Sequence, residues 1–186
     1  TIVFIWLLST CSIWAQTNPY RIGSPHYWMA QGTLDIHAGK FDIAYEHLEK
    51  AQKGYRELGD VGFQIQATEA MGALKAGLGE WEKAKQHYLN ALQIATEANE
   101  DFAQSKVMVD LLALYRTVGD IIGYNQYLKA LDSLYHVSNS AKLKTVYHLY
   151  WSNEYLARKE FAMVETQLLK CWDVMQDLPF SDREQA

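Results

Sequence analysis

The chain has 186 residues, of which 49% are hydrophobic and 13% aromatic, a composition typical of a folded domain and unlike that of a disordered segment. The formal net charge is -5, and acidic and basic residues are interleaved along the chain. Without a basic stripe to neutralise a phosphate backbone, the sequence argues against nucleic-acid binding by this segment. Prolines occur only at positions 19, 25 and 179, so nothing interrupts helix formation between residues 26 and 178.

Residues 1–15 form an uncharged apolar run that ends in small and polar residues. Ile13 and Ala15 are suitably placed before a cleavage ahead of Gln16, which is typical of a secretory signal peptide. The run is shorter than the roughly 20 residues that span a bilayer, so a transmembrane anchor is the weaker interpretation. Neither an initiator Met nor a basic start is present, so we expect the signal to be truncated at its start. We expect an exported protein, with residues 16–25 as a linker.

Removal of the signal would leave Cys171 as the only cysteine. No intramolecular disulfide could then form, even in an oxidising compartment, so packing must hold the fold together.

The chain aligns with itself at a shift of forty residues. The aligned segments begin at Phe41, Trp81, Ile121 and Phe161, one large apolar residue each time. The residues three, seven and ten positions later are mostly small or apolar, and these offsets lie on one face of an α-helix. They are Ala44, Leu48 and Ala51; Ala84, Tyr88 and Ala91; Tyr124, Leu128 and Leu131; and Val164, Leu168 and Cys171.

A second apolar stripe precedes these segments and also repeats after forty residues. It comprises Ala67, Met71, Leu74 and Leu78, and then Val107, Leu111, Leu114 and Val118. Each period therefore predicts two amphipathic helices. Gly39, Gly79 and Gly119 stand between the two, where a helix ends in the left-handed conformation that glycine adopts at little cost. Asp120 is placed to cap the helix that follows.

The pattern resembles the tetratricopeptide repeat over roughly residues 26 to 178. The matching features are a glycine in the first helix, a Gly-x-aromatic turn, and small residues at two places in the second helix. They are carried by Gly32 and Gly72, by the turns after Gly39 and Gly79, and by Ala44, Ala84, Ala51 and Ala91. The resemblance implies an all-α fold, a right-handed α-α superhelix, or TPR-like solenoid, of about four helix-turn-helix repeats. These would cover about residues 26–60, 61–100, 101–140 and 141–180.

The sequence also departs from that family. The family's repeat is typically 34 residues long and has a proline after the second helix, whereas here the repeat is forty residues long and lacks that proline, which implies longer helices. Repeats three and four fit less well. Leu112 and Ser152 replace the helix glycine, Tyr124 and Val164 replace the first alanine, and Lys159 replaces the turn glycine. Ser181 and Glu184 form a capping-box pattern, so residues 181–186 are expected to begin a further repeat of a protein that continues.

No sequence pattern for catalysis, a metal or a cofactor is present. HExxH, GxSxG, CxxC, a phosphate loop and a dinucleotide fingerprint are all missing, which predicts a protein that is not an enzyme and has no cofactor. His47 and His87 hold the same place in successive repeats, but a zinc site needs about four ligands, so surface or half-buried histidines are the expectation. Whether the aromatic run at 146–151 packs in the core or forms an exposed platform stays open.

Binding is the expected function, because stacked helix pairs form an extended groove along the first helices. By resemblance to the family, we predict the groove wall from three residues of each first helix. They are Met29, Thr33 and Ile36; Glu69, Ala73 and Ala76; Val109, Ala113 and Arg116; and Leu149, Asn153 and Leu156. Some members clamp a terminal carboxylate with lysine and asparagine, but this wall offers only Arg116 and Asn153. A mixed apolar wall suits an amphipathic helix or an extended apolar segment of a protein partner.

Two functions follow from this expectation. The first is an exported, non-catalytic scaffold that binds proteins or peptides and is located in a bacterial periplasm. The alternative is the periplasmic sensory input domain of a membrane-anchored transcriptional regulator or histidine kinase, by analogy with bacterial sensors. In that alternative the membrane would be reached only through a part of the protein beyond this sequence.

Overall fold

The computed structural model describes residues 21–176 and residue 178, and in this part of the chain the helices are joined by short turns and no strand is present. Its eight helices are α1 (Pro25–His37), α2 (Phe41–Leu58), α3 (Val61–Gly77), α4 (Trp81–Glu97), α5 (Asp101–Val118), α6 (Ile121–Val137), α7 (Ala141–Ala157) and α8 (Phe161–Gln176). The predictions of a signal peptide over 1–15 and of a new repeat over 181–186 fall outside the described residues.

The helices form four antiparallel pairs that stack in chain order. Each helix packs against its neighbours in sequence, and α5 also packs against both α3 and α7. The second helices α2, α4 and α6 pack against first helices rather than against one another. First helices therefore form an inner layer and second helices an outer one, which is the arrangement of a curved stack. The predicted all-α helical repeat solenoid is confirmed.

The turn within each pair uses a left-handed residue. Gly39, Gly79 and Gly119 have φ of 72°, 75° and 75°, and Lys159 adopts φ 61° at the fourth turn. Glycine has no Cβ to clash in this conformation, whereas a residue such as lysine carries a cost of roughly 1 kcal/mol there. Asp120 caps α6 as predicted, since its carboxylate accepts the backbone N–H of Gly123 at 2.9 Å.

The core lies between the helix layers and follows the predicted stripes. On α2 the buried residues are Ala44, Leu48, Ala51 and Tyr55, and on α4 they are Ala84, Tyr88, Ala91 and Ala95. Leu48 packs against Met71 and Leu74 of α3. Tyr88 packs in the same way against the apolar stripe of α5. Each second helix thus carries the contact that joins one pair to the next.

Two glycines let large side chains reach these positions. A Cβ added at Gly72 would lie 2.8 Å from ring atoms of Tyr88, and one added at Gly32 would lie 3.0 Å from Leu48. Because real Cβ atoms do not approach so closely, glycine at these places allows Tyr88 and Leu48 to sit against the first helix of their own pair. This is the packing reason for the glycine of the first helix.

The junction between the third and fourth pairs differs from the others. The chain passes from α2 to α3 through left-handed Gly59, and from α4 to α5 through left-handed Asn99. It passes from α6 to α7 through extended Ser138, with ψ 140°. Here α7 packs more against α5 than against α6, the reverse of the earlier junctions. Tyr124, in the place of Ala84, contributes bulk at this junction and shares a 2.7 Å hydrogen bond with Tyr150 of α7.

Replacing Gly72 with alanine should destabilise the fold. The added Cβ meets the buried ring of Tyr88, so we expect the free energy of unfolding to fall by about 1–3 kcal/mol. Gly77→Ala is the matched control, because nothing lies within 4 Å of its added Cβ and both glycines are in α3. Alanine there should raise stability by up to about 1 kcal/mol. Urea unfolding followed by circular dichroism measures both; equal effects would contradict the packing described for Tyr88.

Replacing Ala84 with leucine tests the contact inside the second pair. Ala84 is fully buried, so the added atoms have no space and should lower stability by about 1–3 kcal/mol. Ala30→Leu adds the same atoms at an exposed position of a first helix and should leave the melting temperature nearly unchanged. A melting curve of Ala84→Leu that matches the unmodified protein would show that the helices are not in close contact at this point.

Candidate binding groove

A groove lies along the inner layer between α5 and α7, with a cavity of about 600 Å³. Its apolar lining consists of Phe102, Val109, Leu112, Ala113, Val146 and Leu149. Its polar lining consists of Gln66, Lys106, Asp110, Arg116, Lys142, Tyr150, Asn153 and Glu154. The residues of α5 and α7 recur at helical spacings of three and four, which places them on one face of each helix. The groove therefore has apolar walls with charged groups along its edges.

The structure brings five of the predicted wall residues together at this cavity. They are Val109, Ala113, Arg116, Leu149 and Asn153, from the third and fourth first helices. Glu69 of α3 borders the same region, because its carboxylate pairs with Lys106 at 3.2 Å. The predicted wall is thus continuous across three first helices at this end of the stack.

The other predicted wall residues lie elsewhere. Met29 and Ile36 pack against the buried cluster of α2 and α3, and Ala76 packs against the cluster that joins α3 to α5. Thr33 is exposed, and its hydroxyl donates to the carbonyl of Met29 at 3.0 Å.

Ala73 and Leu156 are also exposed, but neither lines the cavity. The prediction placed three residues per helix on one wall, and in the first pair two of the three, Met29 and Ile36, are half-buried against the core instead.

A carboxyl pair forms one edge of the groove. Burial, and then the charge of the neighbouring Glu69 carboxylate, raise the pKa of the Asp110 carboxyl to about 7, while the charge of Lys106 acts in the opposite direction. A hydrogen bond links Asp110 and Glu69, which requires a proton on one of the two carboxyls. Near neutral pH the Asp110 side chain is therefore protonated in a large part of the molecules, and it presents no full negative charge to the groove.

An ion-pair cluster closes the opposite end. Arg116 of α5 pairs with Glu154 of α7, and Arg158 lies 3.9 Å from the same carboxylate. Glu154 is buried, whereas both arginines are more than half exposed. The two guanidinium groups compensate the buried charge, which would otherwise carry a large desolvation cost. The cluster ties the third first helix to the fourth.

Sequence reasoning missed Asp110, Glu154 and Lys106, although the self-alignment contains a signal for two of them. Asp110 stands where Ala30 and Ala70 stand in the first two repeats. Glu154 stands where the three leucines Leu34, Leu74 and Leu114 stand. A charged residue at a position that is otherwise small or apolar marks a local change of environment, and both changes fall in the groove.

The repeated histidines have protein partners. His47 Nδ1 lies 2.9 Å from the carboxylate of Asp35, and His87 Nε2 lies 3.1 Å from the Tyr45 hydroxyl. Burial, and then the charge of Lys75, lower the pKa of His87. Both rings are half-buried. Between residues 21 and 178, apart from residue 177, no group of three or more histidine, cysteine or acidic side chains is arranged to hold a metal ion.

The aromatic run at 146–151 packs largely inward. Tyr147 stacks on Tyr135 with ring centroids 4.0 Å apart, and its hydroxyl donates to Asp132 at 2.8 Å. Trp151 and Tyr150 belong to the cluster that joins α5, α6 and α7. At these three residues the structure therefore favours packing between helices over an exposed aromatic platform.

Comparison with known proteins supports the fold alone. No protein-family model matches the chain, and no curated protein matches it. A solved structure that it resembles is BtubC (BKLC) from P. vanneervenii, with a TM-score of 0.56 and 18% sequence identity. The match covers 83% of this chain and 65% of the BtubC chain, so the present chain spans about two thirds of that protein's length. At this identity the likeness concerns the helical repeat architecture alone.

No helix between residues 21 and 176 combines the length and the apolar character needed to cross a bilayer.

The carboxyl pair predicts a pH-dependent difference between the protein and its Asp110→Asn variant. Since the folded-state pKa of Asp110 is raised, its contribution to stability is present at low pH and is lost as the pH rises towards and through about 7. Asparagine keeps the shape and a donor to Glu69 but cannot ionise. The melting temperature of the variant should therefore exceed that of the protein by a larger margin at pH 8 than at pH 5, because the loss begins above the ordinary pKa of 3.8 and is complete only above about 7.

Asp173→Asn, at an exposed place on α8, is the control. Its melting temperature should differ from that of the protein by a similar amount at both pH values. If the melting temperature of Asp110→Asn also differed from that of the protein by an amount constant with pH, this would contradict a proton shared between Asp110 and Glu69.

Proposed function

We propose that this chain is a non-catalytic binding module of the tetratricopeptide type, which holds a peptide or helical segment of another protein in the groove between α5 and α7. The observation that carries the proposal is the apolar cavity on the inner layer, which shares five residues with the wall expected from the sequence. Its volume of about 600 Å³ falls within the range of roughly 300–1,000 Å³ that is usual for ligand sites.

The tetratricopeptide assignment is supported by packing as well as by sequence. Gly32 and Gly72 receive the side chains of Leu48 and Tyr88, and the turns at Gly39 and Gly79 are left-handed. These are the places where the sequence resembles the family's repeat. The helices of 13 to 18 residues are consistent with the long forty-residue repeat.

The shape of the groove favours a short segment with apolar side chains. From Phe102 to Arg116 the α5 wall rises about 21 Å at 1.5 Å per residue. That length accommodates about six residues of extended chain or a helix of about 14 residues. The wall offers Val109, Ala113 and Leu149 for apolar contact, and the amide of Asn153 for a hydrogen bond to a backbone group.

The charges of the groove are mostly compensated within the protein. Lys106 pairs with Glu69, and Arg116 pairs with Glu154. A partner that relied on charge would have to break these pairs, which makes burial of apolar surface the main source of affinity. We therefore place no carboxylate clamp here.

Export is part of the proposal. Its support is the uncharged apolar run over residues 1–15 with small residues before Gln16. The preference for binding over catalysis is supported by the sequence, which carries no pattern for a nucleophile, a metal or a nucleotide. A periplasmic partner protein or peptide is thus the proposed ligand.

The groove is tested with two exposed aliphatic residues. Leu149→Glu places a charge on the groove wall, and Ile122→Glu places the same charge on the exposed side of α6. In pull-downs from an envelope extract of the source organism, a partner retained by the protein should be retained by Ile122→Glu. Leu149→Glu should bind the partner with an affinity at least tenfold lower, because the new carboxylate would be desolvated against the apolar segment of the partner.

A photocrosslinker locates the contact directly. Placed at position 113 in the groove it should capture that partner, whereas at the exposed position 126 of α6 it should not. Capture from position 126 alone, or equal retention by both glutamate variants, would place binding outside the groove.

A further inference from the structure

A histidine is buried where α7 meets its neighbours α6 and α8. His148 of α7 is 3% exposed, so its ring is almost entirely out of contact with water. The same place in the second and third repeats holds Thr68 and Met108, which are also buried and which cannot ionise. The fourth repeat therefore carries an ionisable ring where the earlier repeats carry a side chain that stays neutral at every pH.

The ring of His148 bridges two other helices. Its Nδ1 lies 2.8 Å from the side-chain oxygen of Gln167 in α8, and its Nε2 lies 3.3 Å from the hydroxyl of Tyr135 in α6. Because an amide oxygen can only accept, Nδ1 carries the hydrogen and Nε2 accepts from the tyrosine hydroxyl. A neutral ring thus completes both hydrogen bonds, and Gln167 is itself buried. One side chain links α6, α7 and α8.

A second proton would place a positive charge in this site without a negative partner. The side chains that face the ring, or whose charges act on it, are Tyr135 of α6, Gln167 and Lys170 of α8, and Lys144 and Tyr147 of α7 itself. None of these carries a negative charge near neutral pH. Burial lowers the pKa of the His148 ring, the hydrogen bond to Gln167 opposes this effect, and the charges of Lys170 and Lys144 lower the pKa further.

The helix that carries His148 also forms one wall of the groove. Val146 and the next residue after the histidine, Leu149, line the cavity, whereas His148 faces α6 and α8. On the side away from the groove, α7 packs extensively against α8 and only slightly against α6. Loosening of α8 would therefore remove most of the support behind this wall.

We propose that His148 is an acid-sensitive switch: protonation of its ring loosens α8 from α7 and leaves the α7 wall of the groove less firmly held. The neutral ring stabilises the packed state, in which its pKa is lowered from the ordinary value of 6.5. Packing of α8 is therefore at full strength above about pH 6.5 and weakens as the pH falls below that value. The switch is a property of the chain alone and does not require that the groove binds the proposed partner.

The test is hydrogen exchange of the 186-residue chain at pH 7.5 and pH 5, followed by mass spectrometry and corrected for the intrinsic effect of pH on exchange. One unit of pKa corresponds to a tenfold change in an equilibrium, so we expect local opening of Phe161–Gln176 to increase by about threefold or more at pH 5. Peptides from α7 should show a smaller increase, and peptides from α3 should show none.

Two substitutions isolate the histidine. His148→Asn keeps a donor for Gln167 but cannot become charged, so the increase in α8 should disappear. Gln167→Glu has nearly the same shape and supplies a carboxylate beside Nδ1, which should raise the pKa of His148 and keep α8 packed at pH 5. His87→Gln is the matched control. Burial also lowers the pKa of this half-buried ring, but it lies on α4 and bonds to Tyr45, so α8 should still open in acid.

Exchange of α8 that is the same at both pH values in the unmodified chain overturns the proposal. So does an increase that persists in His148→Asn or that Gln167→Glu leaves unchanged. An increase abolished by His87→Gln would place the acid-sensitive group in the second pair instead. An NMR titration of the unmodified chain measures the pKa of His148 without any substitution, and a value of 6.5 or above would also contradict the switch.

Discussion

The second helix of each pair has apolar residues on more than one side, and a single neighbouring helix covers only one of them. Leu48 and Tyr88 show how the fold meets this constraint. Each lies against a glycine of its own first helix and, on its other side, against the leucine stripe of the next pair. Stability thus depends on contacts between pairs as much as within them, as expected for a repeat protein. The curvature has the same origin, since first helices approach one another while second helices remain apart.

The groove arises where the repeat changes. Tyr124 replaces an alanine, Glu154 replaces a leucine, and Ser138 forms an extended turn in place of a left-handed one. At this junction α7 packs mainly against α5, and the cavity lies between these two helices. A buried carboxylate among apolar positions needs cationic partners, which Arg116 and Arg158 provide. The residues that break the sequence pattern are therefore the ones that shape the proposed binding surface.

The electrostatics of this surface follow from burial. Asp110 and Glu69 approach closely enough to share a proton, which lowers the net charge along one edge, and Lys106 offsets much of the remainder. At the other end the arginines of α5 and α7 neutralise Glu154. A partner approaching the groove meets apolar walls between compensated charges, so its affinity would depend on complementary shape and buried area.

The sequence by itself determined the helix pairs, because a hydrophobic period near 3.6, glycines at forty-residue intervals and an aspartate cap are all local signals. It also determined most of the core, since Ala44, Leu48, Ala84 and Tyr88 fall on the predicted stripes. Only the tertiary structure decided which first-helix residues face the groove. Met29 and Ile36 have the same helical phase as Val109 and Leu149, yet they are covered by core side chains of α2 and α3. Helical phase gives the direction of a side chain around the axis of its own helix. The exposure of that side chain depends also on how the neighbouring helices are displaced. This displacement results from the packing of residues that are distant in sequence, such as Arg116 with Glu154.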